Sequence, residues 1–319
     1  MATTATLDNE RRRLTTRSKK SSGGLSVGRP SFLWSVPGFV FFALFAVVPL
    51  GVVVWLSFNS WSLVGSPHWI GLGAWRHMFQ DPVLIQSFRI TAILTVLGIA
   101  LQTPISMLLG VWAAGYQRNR AILSALYFIP LLMSAAAIAV VWDSLLAPFS
   151  GLPNEFPSIF SLGIFNHGFL FSSGPAAIGV LTFVGMWQWT PFHTLIYQGG
   201  ARNIPEVLYQ AAAIDGAGRV RMFFHITLPQ LRNTMVTSMV LMLVGGLTNF
   251  DSILILTQGG PGTSTTSTAY YMYQQGFTTF QFGDAAVIGV MLAVVTTIIS
   301  LIVVKATGWD KMRSTQEGV

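Results

Sequence analysis

The residues able to do chemistry in this chain are few and scattered. The five histidines, His68, His77, His167, His193 and His225, show no paired or Glu-x-x-His spacing that would hold a metal. No Gly-x-x-x-x-Gly-Lys-Ser/Thr run is present, and the four lysines, Lys19, Lys20, Lys305 and Lys311, lie outside any such pattern. An ATP-driven process would therefore require a separate ATPase chain, and no cofactor is expected in this one. With no cysteine, disulfides, thiolate catalysis and cysteine metal sites are excluded. No catalytic triad can be assembled, so the chain is not expected to be an enzyme. Two polar residues stand out because they fall inside apolar runs, His193 and Asp251. Asp251 reads as a substrate-pathway carboxylate or, more plainly, as a boundary residue; His193 reads equally as a pathway-lining residue or as a packing histidine. Asp143 and Asp284 fall at the ends of such runs, where a solvated charge is ordinary.

One stretch carries more pattern than these isolated groups. It runs Ile204-Pro205-Glu206-Val207-Leu208-Tyr209-Gln210-Ala211-Ala212-Ala213-Ile214-Asp215-Gly216-Ala217, then Phe223-Phe224-His225-Ile226-Thr227-Leu228-Pro229. Pro205 suits the first turn of a helix, and Glu206 suits its positive end. Leu208, Ala211, Ala212 and Ile214 recur at helical spacing, and Gly216 is placed to stop the helix in a left-handed conformation. A second short helix is expected to stop near Pro229. The Ala-rich face is too small, and its basic neighbours too late, for a helix resting on lipid. A protein partner is favoured.

The elements that must position this stretch are membrane spans. Hydrophobic residues make up 52% of the chain and charged residues 9%, against about 25% charged in a soluble domain, and the mean hydropathy is +0.60. Six segments approach the roughly 20 apolar residues a bilayer crossing needs: Phe32–Leu56, Ile90–Tyr116, Ala121–Trp142, Pro175–Gln198, Thr234–Leu256 and Ala285–Val304. The first is too long, and what precedes it too polar, for a cleaved signal peptide. In a six-span arrangement, 16 of the 18 basic residues fall on one side, leaving only Arg76 and Arg89 on the other. Both termini and the 204–229 stretch are then cytoplasmic. The basic cluster Arg11–Arg29 reads as a topology signal attracted to anionic lipid. Nucleic acid is a poor alternative, because no aromatic-interleaved basic surface accompanies it.

At the 204–229 stretch the chain resembles the permeases of bacterial ABC importers. Gln210-Ala211-Ala212, three residues, Gly216, nine residues, Ile226, one residue, Leu228-Pro229 is similar to their "EAA" signature. Ile70-Gly71-Leu72-Gly73-Ala74-Trp75 followed by Phe79-Gln80-Asp81-Pro82 resembles an external segment of the family. Trp187-Gln188-Trp189-Thr190-Pro191-Phe192 resembles an element of its fourth span. Leu256-Thr257-Gln258-Gly259-Gly260-Pro261 with Ser264-Thr265 resembles an element of the maltose-type and glycerol-phosphate-type first permease.

The resemblance implies an all-α polytopic membrane protein with six transmembrane helices and the type I ABC importer permease (maltose-permease-like) fold. It implies a tail at 1–30, a permease domain at 31–308 with a coupling loop at 200–232, and a cytoplasmic tail at 309–319. The implied setting is the bacterial cytoplasmic (inner) membrane. The implied partners are a second homologous permease, two ATPase subunits that bind ATP and Mg, an external binding protein and a sugar. Glu206, Gln210, Ala211, Ala212, Asp215 and Gly216 would couple to the ATPase. The family has Glu where this chain has Gln210; Gln keeps an acceptor oxygen but not the charge-assisted strength of the bond, and Glu206 lies one turn earlier. The implied substrate path falls on Gln188, Trp189 and Phe192 in span four and Asn249 in span five, with Gly185 and Gly246 beside them. Trp189 stands where the maltose permease has Gly, and Gly246 where it has Asn. The alternative is an ion-coupled secondary transporter, which would show paired broken helices and intramembrane charges; a membrane enzyme is a distant third.

Overall fold

A computed structural model describes residues 32–115, 122, 125–147, 150–156 and 173–307. The tails and the turn at Gln117–Arg120 lie outside these. The chain divides into two compact units, residues 1–52 and 53–319. In the first, a 3-10 turn at Phe32–Ser35 leads into helix α1, Val36–Leu56, which continues into the second unit. This helix has a mean hydropathy of 2.7 and none of it is buried. An α1 turn widens to π geometry at Ala43–Val47, just before Pro49. The missing N–H and bulky ring of a proline are an ordinary cause of such widening.

In the second unit, a two-residue antiparallel ribbon pairs β1, Asn59–Ser60, with β2, His68–Trp69, a small exception to the all-helical expectation. Helix α2, Gly73–Gln80, follows, then α3, Pro82–Ala113, α4, Ile129–Leu132, α5, Ala135–Leu146, and α6, Gly174–Arg202. Next come α7, Glu206–Ile214, α8, Arg219–Met222, α9, Arg232–Leu247, α10, Asp251–Leu256, α11, Thr268–Tyr273, and α12, Phe282–Thr307.

The spans depart from the expected boundaries for local reasons. Span two begins at Pro82 rather than near Ile90, because Asp81 caps the helix: its Oδ1 accepts the Val83 amide at 2.8 Å. Among its described residues span three is interrupted before Ala135, because Ser134 takes extended backbone and its hydroxyl caps Ala137 N at 3.1 Å. Span five is two helices, α9 and α10, separated at Thr248–Phe250. Asp251 therefore stands in the first turn of a separate helix, not late in a continuous one. Among the described residues, only α1, α3 and α12 are long and apolar enough by themselves to cross a membrane. Helix α6 is long enough but more polar, since it buries Gln188, Thr190, His193 and Thr194 inside the protein.

Helix α3 packs along α6 and α9, α10 packs on α5, and α12 packs on α9 and α11. One apolar cluster joins Leu94, Ile138, Leu181, Val184, Ile253 and Tyr270. A second joins Met78, Leu84, Tyr271, Val287 and Ile288. Between them runs a seam of buried hydroxyls. Thr268 N donates to Thr91 Oγ1 at 2.9 Å, and the two hydroxyls lie 3.1 Å apart. Such pairs satisfy polar groups where no water is at hand.

Candidate functional site: a central cavity and an exposed helix

Helices α3, α6, α9 and the α9–α10 break enclose a cavity of about 430 Å³. Gln188, Trp189, Phe192 and Asn249 all border it, as do Gly185 and Gly246. Gln188 is buried, and Trp189 is about half exposed. The Trp189 and Phe192 rings meet edge to face at 6.4 Å. Amides and aromatic faces together offer hydrogen bonds and a stacking surface to a polyhydroxylated solute.

The break that brings Asn249 to the cavity is held from a distance in sequence. The Asn249 carbonyl accepts the Ser267 hydroxyl at 3.0 Å, and the same hydroxyl accepts the Tyr270 amide at 3.2 Å. Asp251 and Ser252 follow on the cavity wall. Gly246 explains one departure from the maltose permease: a Cβ there would lie 2.8 Å from Thr95 Oγ1, so α9 approaches α3 too closely for a side chain. His193 borders the cavity and holds Ser238 Oγ at 2.9 Å through Nδ1, joining α6 to α9. It is a satisfied packing histidine in this geometry. Two cavity residues that sequence reading passed over are Thr95 and Gln102 on α3. The available signal was a lone amide in the middle of a long apolar run.

The second site is α7. Its residues Glu206, Gln210 and Ala211, and Asp215 and Gly216 just past its end, are exposed, and Ala212 is half-buried. Pro205 caps the helix rather than sitting inside it. Gly216 has φ +74°; its amide donates to Ala213 O at 3.1 Å and the Ala217 amide to Ala212 O at 2.9 Å. That is a Schellman stop, which requires the left-handed residue. The helix beyond stops at Gln230, one residue past Pro229. It passes from α8 through a π turn at Phe223–Thr227 to a short helix at Leu228–Gln230 and turns at Leu231. Tyr209 Oη lies 2.9 Å from the buried Thr227 Oγ1, fastening α7 to this second helix. Val207, Ile214, Val220 and Phe224 are exposed, an apolar surface of the kind that marks an interaction site.

The motif residues near 70–82 and 256–265 have structural partners. Tyr271 Oη donates to Asp81 Oδ2, and Gln275 Nε2 donates to Tyr271 Oη at 2.7 Å. Burial, with the Asp81 carboxylate beside it, pushes the Tyr271 phenol above its ordinary range. Asp284 is paired with His77 Nδ1 at 3.0 Å, so it is not the freely solvated charge expected of a span end. The Gly-Gly-Pro element contains a cis Gly260–Pro261 bond. It folds back so that Thr265 Oγ1 donates to Gly260 O at 2.7 Å and Thr263 Oγ1 to Gln86 Oε1 at 3.1 Å. Among the described residues, no group of three or more His, Cys, Asp or Glu is placed to hold a metal.

Helices with apolar exposed faces around an internal cavity that carries a few amides on a mostly apolar wall are the build of a membrane permease. The fold matches a bacterial ABC transporter involved in the import of the acidic polysaccharide alginate, with a TM-score of 0.73 and 23% identity over 86% of this chain and 94% of that one. Residues 106–306 match the family described as binding-protein-dependent transport system inner membrane component. A probable ABC transporter permease, YurN of Bacillus subtilis (strain 168), is 31% identical over 86% of this chain and 94% of its own length. The diacetylchitobiose uptake system permease NgcF of Streptomyces coelicolor is 27% identical over 82% and 77%. The chain belongs to the binding-protein-dependent transport system inner membrane component family: it is a membrane-embedded transport subunit. The two broken spans are a feature expected of the ion-coupled alternative, but here they belong to an ABC importer permease fold.

Proposed function

We propose that this chain is one of the two membrane subunits of an ABC importer that moves a sugar or oligosaccharide delivered by an external binding protein. The observation that carries this reading is the convergence of Gln188, Trp189, Phe192 and Asn249 on one cavity, a lining suited to hydroxyls and sugar C–H faces. The name of the diacetylchitobiose uptake relative and the alginate import of the structural neighbour point to the same class of solute. A homologous second permease completes the pathway. Two ATPase subunits bind ATP and Mg and receive α7, with Glu206, Gln210, Ala211, Ala212, Asp215 and Gly216 at the contact. The exposed apolar residues of α7 and α8 support a protein partner there. The domain limits are 1–30, 31–308 and 309–319, with the 200–232 loop and both termini cytoplasmic in the inner membrane.

The test is reconstitution. Co-expressed with the ATPase and permease it co-purifies with, the chain should give ATP-dependent sugar uptake in proteoliposomes supplied with binding protein. Uptake that persists without ATP and follows an ion gradient would instead favour a secondary transporter. A reporter active only outside the cytoplasm, fused at Val319, should stay silent; strong activity would overturn the orientation.

A further inference from the structure

Gln102 is 7% exposed, borders the central cavity, and its Nε2 has no hydrogen-bond partner among the described residues. An unpartnered amide in a protein interior carries a desolvation cost that a hydrogen bond would remove. The Ser106 hydroxyl on the next turn donates to the Gln102 backbone carbonyl at 2.6 Å and does not accept from Nε2. Three amides thus border one cavity from three separate segments, Gln102 on α3, Gln188 on α6 and Asn249 at the α9–α10 break. The charge of the lining is as informative. Among the described residues, Asp251 is the one Asp, Glu, Lys or Arg side chain on the wall. An acidic group brought into this space would find no Lys or Arg among the described lining residues and would approach a carboxylate, a repulsive like-charge contact.

We infer that Gln102 is a substrate-contacting residue, donating its side-chain amide to an uncharged oxygen of the translocated solute, and that the solute is a neutral rather than an acidic glycan. The inference rests on the cavity being the sugar path. Hydroxyl, ring and acetamido oxygens all accept from an amide without bringing charge. The alginate importer, which shares the fold, is described as carrying an acidic polysaccharide, so the two proteins would divide on the charge of their cargo.

The natural absence of cysteine allows a direct test. Gln102→Cys and, as a reference on another wall, Asn249→Cys are introduced singly into the assembled transporter in proteoliposomes. Each is then exposed to a water-soluble thiol reagent with and without millimolar diacetylchitobiose, an arabinotriose or an alginate trisaccharide. The inference expects labelling at both positions and protection of both by a neutral glycan but not by alginate. In a second measurement, Gln102→Leu should raise the KM for the protecting glycan by about three- to tenfold with little change in kcat. That split is not produced by a merely destabilised chain. A Gln102→Cys variant that is never labelled, or is labelled but unprotected while Asn249→Cys is protected, overturns the role of Gln102 and leaves the sugar path standing. Equal protection by alginate overturns the neutral cargo. No protection at either position by any glycan means the cavity is not the sugar path, and the function proposed above fails with it.

Discussion

Tyr209 and Thr227 share a hydrogen bond of 2.9 Å that joins the exposed helix α7 to the helix following it. Thr227 occupies the one position the family signature leaves open between Ile226 and Leu228, yet it is 3% exposed and anchors the loop from within. Tyr209→Phe keeps the ring and deletes only this bond, a loss of about 1 kcal/mol. We expect uptake and ATP hydrolysis to become less tightly coupled while membrane insertion is unchanged. Coupling ratios in proteoliposomes check this, and an unaltered ratio would mean α7 is held by its partner alone.

Gly216 offers a sharper test of the same loop. With φ at +74°, a β-branched residue pays the left-handed penalty of about 1–2 kcal/mol. Gly216→Val should abolish uptake without reducing the amount of inserted chain, whereas Gly216→Asn should retain most of it, because Asn tolerates this region. Equal uptake by both variants would separate the turn from coupling. Gln210→Glu, which restores the family residue, should be tolerated.

The contact between α9 and α3 predicts a packing defect. A Cβ at position 246 would lie 2.8 Å from Thr95 Oγ1 and 3.0 Å from its Cγ2. Gly246→Ala should destabilise the chain in detergent by about 1–3 kcal/mol, the usual cost of overpacking. Adding Thr95→Ala should recover part of that loss. A thermal-unfolding double-mutant cycle checks it, and strict additivity would mean the helices separate freely.

Asp81 both caps α3 and accepts the Tyr271 hydroxyl. Asp81→Ala should cost about 1–2 kcal/mol for the cap alone, and Asp81→Asn less, since an amide oxygen still caps. The raised phenol of Tyr271 adds a pH dependence. A phenol whose folded pKa lies above its unfolded value of about 10 contributes stability below that pH and loses it as pH rises further. Melting of the wild-type chain should therefore fall more steeply above about pH 10 than that of Tyr271→Phe; parallel curves would contradict the pairing.

Local chemistry was legible in the sequence, and contacts between distant segments were not. The left-handed Gly216 followed from glycine after an Ala-rich helical run. The cavity positions at 188, 189 and 192 followed from resemblance, because the motif around Pro191 fixes their place on one helix, and 249 followed from resemblance on another span. The break at Thr248–Phe250 escaped although Thr248-Asn249-Phe250-Asp251-Ser252 is a polar interruption, because the hydroxyl that holds it comes from Ser267. The pairing of Asp81 with Tyr271 spans 190 residues, and no spacing rule reaches so far. Gln102 gave a signal on its own, an amide among aliphatics, whose meaning depends on what the opposite helices bring near it.

The interruption of span five has a mechanical consequence. Its longer half, α9, is packed on α3 and α12 and leads directly from the 204–229 loop, while its shorter half, α10, is packed on α5. On the proposed coupling role of the loop, a displacement carried by α9 would end at the Thr248–Phe250 joint, where Asn249 meets the cavity, and would not have to move α10, which is anchored on α5.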